Sequence, residues 1–158
     1  HAYHVSSNST FSTLRNGAGS GADPNFVALY LILNAGTTTD RFNNMYRSFA
    51  LFDTSAIGAG EIDDATLSVY GSSKVNTLGG TPELNVASAN IATKNTLVTG
   101  DYDAVSRTSF GSVTYASFST SGYNDISLDA NGIANIAKEG ISEFSLQSNW
   151  DLSDSYTR

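Results

Sequence analysis

Runs of four to nine strand-forming residues, each closed by a cluster of Gly, Asn, Asp, Ser or Pro, divide this chain from end to end. That punctuation leaves room for short strands and tight connections, and almost none for long helices. Ala2–Val5, Thr10–Arg15, Phe26–Leu33, Met45–Asp53, Ala65–Tyr70, Glu83–Ser88, Tyr123–Leu128 and Ile141–Gln147 read as strands. Phe26–Leu33 (FVALYLIL) is almost wholly apolar, which predicts a central strand buried on both faces. Met45–Asp53 (MYRSFALFD) reads the same way and puts Phe49 and Phe52 in the core, together with Tyr70. One helix is expected over Ala130–Glu139. Asp129 caps it, Leu128 and Ile133 staple its start, Ile133, Ile136 and Ala137 form its apolar stripe, and Gly140 ends it.

Ser and Thr supply 39 of the 158 residues, Asn and Gly 14 each, and charged residues only 15%. Polarity is therefore carried by hydroxyls and amides, which favour strands and turns over helices. The expectation is one all-β domain over residues 1–158, a two-sheet jelly-roll or Greek-key sandwich with one short helix.

The net charge of −7, with no basic cluster to offset it, argues against nucleic acid and against an anionic membrane surface. No run of 18 apolar residues exists to span a membrane. Zero Cys removes disulfides, thiol catalysis and zinc–thiolate sites. A first residue that is His rather than Met, in a Thr- and Asn-rich chain with three Lys, gives the expectation of a processed protein, extracellular or at the cell surface.

Catalytic chemistry finds little to work with, and no enzyme and no cofactor are expected. The two histidines, His1 and His4, both lie near the start of the chain, so no triad can be assembled around an internal base. Asp63–Asp64, Asp101 with Asp103, and Asp151 with Asp154 all fall in turn clusters, where carboxylates ordinarily bond the backbone. Asp101 and Asp103 sit on one side of an extended segment and are the candidate ligands of a structural calcium ion. Trp150 beside Asn149, with Tyr156, forms a candidate carbohydrate-binding set, and Tyr102 and Phe118 are further loop aromatics. Alternatively, Trp150 plugs the end of the sandwich. Asn8-Ser9-Thr10 is an acceptor pattern for glycosylation at Asn8.

Tyr46–Tyr70 combines an Arg-Ser-aliphatic strand ending in Phe52-Asp53, then Ser55-Ala56-Ile57-Gly58-Ala59-Gly60, then Ala65-Thr66-Leu67-Ser68-Val69-Tyr70. With Gly100–Asp103, Thr114–Phe118, Gly122–Asp125 and Asn131–Ile136, it resembles the disaggregatase-related repeat family of β-sandwiches, near carbohydrate-binding-module-like jelly rolls. The resemblance runs from about Thr13 to Trp150. It implies a sandwich without a catalytic motif, of the kind carried by surface proteins, adhesins, phage-type fibres and polysaccharide-handling enzymes. It also implies a final apolar strand after Trp150, which Asp151–Arg158 does not provide.

A sandwich lacking a strand exposes an open edge that a neighbouring chain can fill. Residues 1–11 are the expected donor, with Ala2, Tyr3, His4 and Val5 as the exchanged strand; the alternative is that Ala2–Val5 pairs within its own chain. Donation from each chain to the next builds a head-to-tail homo-oligomeric filament. The sequence thus points to a non-catalytic structural subunit of an extracellular fibre or surface appendage. A carbohydrate-binding module, or a phage-type fibre or adhesin domain contacting glycans, is the alternative.

Overall fold

The computed structural model describes residues 1–25 and 27–156. Nine strands follow in chain order: β1 (Ala2–Ser9), β2 (Gly21–Ala22), β3 (Ile32–Ala35), β4 (Phe42–Asp53), β5 (Thr66–Tyr70), β6 (Glu83–Ser88), β7 (Gly111–Thr114), β8 (Tyr123–Ser127) and β9 (Ile141–Ser148). Three five-residue helices join them: α1 (Phe11–Arg15), α2 (Ala130–Ala134) and α3 (Asn149–Ser153). No helix among the described residues is long and apolar enough to cross a membrane.

All strand pairs are antiparallel. The larger sheet has the order β2-β1-β4-β9-β6-β7, with β3 also on β4, and the smaller one pairs β5 with β8. The chain steps from β4 across to β5, returns for β6 and β7, crosses again for β8 and returns for β9. This alternation between two sheets is the jelly-roll path expected from the sequence. The protein is an all-β sandwich.

Alternation along the strands fills two cores, one on each face of the large sheet. Between the sheets, Leu67 and Ile126 meet Val86, Phe144, Leu146 and Phe110. On the other face, Phe42, Met45 and Phe49 of β4 pack with Ala2, Phe11, Leu14, Ile91 and Tyr102. Serine and glutamine complete β9 on its inner rows: Ser142, Ser145 and Gln147 are buried, and each finds a partner. Ser145 Oγ donates to Ser88 O at 3.1 Å, and Gln147 Nε2 donates to Ser106 O at 2.8 Å.

β4 is the organising strand. Its first half is flanked on both edges, by β1 and by β3, which pair with the same residues from Phe42 to Tyr46. Its second half, Ser48–Asp53, pairs with β9.

Several local readings change in three dimensions. Thr10–Arg15 is a helix, not a strand. The Thr10 side chain accepts from the Thr13 amide and buries Phe11 and Leu14 on one face of α1. The expected helix at 130–139 stops after Ala134, although Asp129 caps it by accepting from Gly132 N at 2.8 Å.

The largest change concerns the FVALYLIL run. Phe26 lies outside the described residues, and strand geometry begins only at Ile32. β3 is an edge strand, paired with β4 alone among the described residues. Its ladder ends at Ile32↔Tyr46, and from Ser48 onward β4 pairs with β9. Among the described residues, 27–31 take no strand geometry, and Val27, Leu29 and Tyr30 are exposed rather than central.

Phe52 and Tyr70 are likewise not core residues, at 42% and 61% exposure. Phe52 sits near the end of β4, and Tyr70 ends β5 on its outer face. Phe49, by contrast, is buried as expected. Phe52→Ala should accordingly cost only about 1–2 kcal/mol in chemical denaturation, since a half-exposed ring leaves no closed cavity. A loss above about 3 kcal/mol would show that the ring is enclosed.

Candidate interaction site

The segment leading into β3 forms one wall of a cleft of about 560 Å³. Leu31 and Leu33 stand on that wall, Val75 and Tyr115 on the facing one, and Leu84 and Trp150 also line the space. Its size lies within the range of ordinary ligand sites, and its lining is mainly apolar and aromatic.

The facing wall is held in place by backbone carbonyls. Lys74 Nζ donates to Tyr115 O at 2.8 Å and to Phe118 O at 2.7 Å, and it lies 4.9 Å from the Tyr115 ring centroid. Tyr156 Oη donates to Leu78 O at 2.8 Å. The Asn76 carboxamide closes the turn by accepting from the amides of Leu78 and Gly79. Gly80 follows with φ of +68°, a conformation that favours glycine, and a Cβ there would sit tightly against the Trp150 ring at 3.2 Å.

Trp150 is set by α3, and α3 by a buried charge cluster. Ser148 caps the helix by accepting from Asp151 N, and the Asn149 side chain bridges Glu83 N and Thr81 O. Asp151, almost fully buried, takes a two-pronged contact from Arg47, with Nε to Oδ2 at 2.7 Å and Nη2 to Oδ1 at 2.8 Å. Arg107 adds a third bond at 2.9 Å, and Arg15 Nε donates to the Asp151 carbonyl. Arg47 is 0% exposed and spends its remaining donors on the carbonyls of Tyr102 and Arg15. Burial opposes its charge, but the hydrogen bonds and charge of Asp151 outweigh that penalty and raise its pKa. Burial also lowers the Arg107 pKa and raises that of the Tyr102 hydroxyl.

The residues singled out from sequence are distributed unevenly around this site. Trp150 lines the cleft and also packs on the core of Phe11, Phe42 and Met45, its ring 4.7 Å from Tyr156 in an edge-on contact. Tyr156 turns inward onto Phe11 and Phe42. Asn149 is committed to the backbone. Tyr102, expected on a loop surface, is fully buried, with its hydroxyl on Leu14 O and its ring under the Arg47 guanidinium.

Asp101 and Asp103 do not converge. The Asp101 carboxylate accepts from the amides of Ala92 and Val98, both at 2.8 Å, while Asp103 lies 3.5 Å from Arg47. Among the described residues, no group of three or more His, Asp or Glu is placed to hold a metal ion. Asp101→Ala should cost about 1–3 kcal/mol in denaturation, because two amides lose their acceptor. No loss would mean that water replaces the carboxylate there.

Ala2, Tyr3, His4 and Val5 pair with β4 of their own chain, Ala2 opposite Arg47 and Val5 opposite Asn44. The register then shifts between Val5 and Ser9, with Asn8 at φ of +53°. Asn8 engages Thr38 through both ends of its carboxamide, at 3.1 and 3.2 Å. Sequence reasoning missed the Arg47–Asp151 pair and the cleft wall at Val75–Leu78. A lone Arg in the apolar run Met45–Asp53 is the one signal that could have marked the former.

No family model, no curated protein and no solved structure matches this chain.

Proposed function

We propose that this protein is a non-catalytic structural subunit of an extracellular fibre or surface appendage, assembled by β-strand pairing between copies. Its sandwich is related, on this reading, to the disaggregatase-related repeats that Tyr46–Tyr70 resembles. The observation that carries the proposal is the exposure of Val27 and Leu29 beside an apolar cleft, next to β3, which pairs with β4 alone among the described residues. Exposed strand edges of this kind recruit further strands, whose backbone groups satisfy the edge and whose side chains fill the groove.

Ala2–Val5 is the arm proposed for exchange. The register break after Val5 separates it from the rest of β1, so a neighbour's arm can take the same place on β4 at little cost in contacts. Negative-stain microscopy of the purified chain should reveal filaments without added sugar, and deletion of His1–Val5 should yield soluble monomers. Unchanged assembly after that deletion would refute exchange of the arm, and a strictly monomeric intact protein would refute the subunit reading.

A carbohydrate-binding module is the second reading, favoured by the position of Trp150 in the cleft among aromatic residues. It predicts retention of the monomer on an insoluble polysaccharide.

A further inference from the structure

The smaller sheet has only two strands, and among the described residues β5 pairs with β8 alone. Leu128 N donates to Ala65 O at 2.9 Å and Gly71 N to Gly122 O at 3.0 Å, so 65/128 and 71/122 are hydrogen-bonded pairs of this ladder. Antiparallel pairs alternate, so Leu67 and Val69 also turn their backbone groups to β8, while Thr66, Ser68 and Tyr70 turn theirs away. Among the described residues, no strand or loop backbone bonds those outward N–H and C=O groups. A second cleft, of about 350 Å³, opens beside this edge, lined by Ala65–Ser68 together with Leu128, Ile136, Phe144 and the half-exposed Phe52. We infer that β5 pairs antiparallel with β5 of a second copy across a two-fold axis centred on Ser68, which joins the two smaller sheets into one. This rests on the subunit reading above and names a contact distinct from exchange of Ala2–Val5.

Three observations select a second β5 as the occupant. First, the outward groups are their own complement. With Ser68 opposite its own counterpart, Thr66 falls opposite Tyr70, and all three positions turn their backbone groups outward. Every outward N–H then meets an outward C=O, as an isologous contact demands. A slip of one residue would set these groups against residues that face β8, and the match would be lost. Second, charge selects the same arrangement. Thr66–Tyr70 carries no charge, and the exposed Glu61, Asp63 and Asp64 precede it. Antiparallel pairing sends that acidic run past residues 72–75 of the other copy, where the one charge is Lys74. Parallel pairing would lay the two acidic runs side by side, in a chain whose net charge is already −7. Third, the devices that ordinarily protect an edge strand are absent from Thr66–Tyr70: it holds no Lys, no Pro and no residue of positive φ. A second copy at this edge also stands at the mouth of the cleft, where Phe52 now meets water.

The chain has no Cys, so a single introduced thiol can cross-link only between copies. Ser68→Cys, under mild oxidation at submillimolar protein, should give disulfide dimers, because residue 68 meets its counterpart on the outer side of the joined sheet. Ser127→Cys, exposed on the same outer side but one strand further in, should give few. Thr66→Pro deletes an outward N–H that no strand uses within the chain, and proline is tolerated at the first residue of a strand. It should weaken self-association at least tenfold in analytical ultracentrifugation, with the melting curve of the dilute protein unchanged. Absence of Ser68→Cys dimers, equal cross-linking at Ser127→Cys, or wild-type association of a folded Thr66→Pro would each overturn the contact. If Thr66→Pro melts early, the two thiol variants decide alone. Filaments that form without Ser68→Cys dimers would overturn the contact and leave the subunit reading intact. Ser68→Cys dimers in a chain that forms no filaments would support the contact and count against the subunit reading alone. A synthetic peptide of residues 1–9 that blocks Ser68→Cys dimers, where one of residues 63–73 does not, would give this edge to a neighbour's arm and overturn the pairing of β5 with itself.

Discussion

Asp151→Ala is expected to destabilise the protein by about 3–5 kcal/mol, the cost of leaving buried charge without its partner. Arg47 cannot relax into water, being fully buried against the Tyr102 ring, and Arg107 also loses its bond to the carboxylate. The substitution further removes the acidic residue in the first turn of α3, so the helix that carries Trp150 loosens together with the charge cluster. Urea denaturation followed by Trp150 fluorescence measures both effects. A loss below about 1 kcal/mol would mean that solvent reaches Arg47. Asp151→Asn should lie between the two, since it keeps the shape and one acceptor but not the charge.

Phe144→Ala is expected to cost about 3–5 kcal/mol, because the ring is buried in the core between the two sheets. Phe144 is 4% exposed and packs in the cluster of Leu67, Val86, Ile126 and Leu146, where β5–β8 lies over β9 and β6. Gly111 permits a close approach of β7 to β8 in the same core: a Cβ there would lie 2.4 Å from Ser127 O and 3.0 Å from Ile126, so these strands leave little slack to collapse into a cavity. The contrast with Phe52 is the sharper test. The two rings are neighbours, with centroids 6.3 Å apart, yet the half-exposed one should cost a fraction of the other. Equal losses at both positions would show that the smaller sheet extends over the end of β4.

Much of the fold was legible because strand formation is local. Thr66–Tyr70, Glu83–Ser88, Tyr123–Ser127 and Ile141–Ser148 match the runs expected within a residue or so. Period-two alternation and the turn residues between them supply that information. The candidate site was legible only in part. Trp150 was marked by its rarity and its flanking amide and carboxylate, but its neighbours in the cleft come from 28–34 and 72–78, which carry no motif. Tyr102 was misplaced because a Tyr between two Asp looks like a loop surface, whereas its ring is held by an Arg 55 residues earlier.

The sequence by itself determined that the protein is all-β, that its strands are short, and which runs form most of them. It did so because alternation, turn chemistry and the scarcity of helix-supporting charge act over a few residues. Only the tertiary structure decided which faces are buried and which edges remain open. Arg47 and Asp151 are 104 residues apart, and nothing local in either pairs them. Val27–Leu31 has the composition of a central strand, and lies outside the sheet because β4 gives its second half to β9. Pairing partners are a property of register across the whole chain, so apolar character can specify that a segment must be covered without specifying by what.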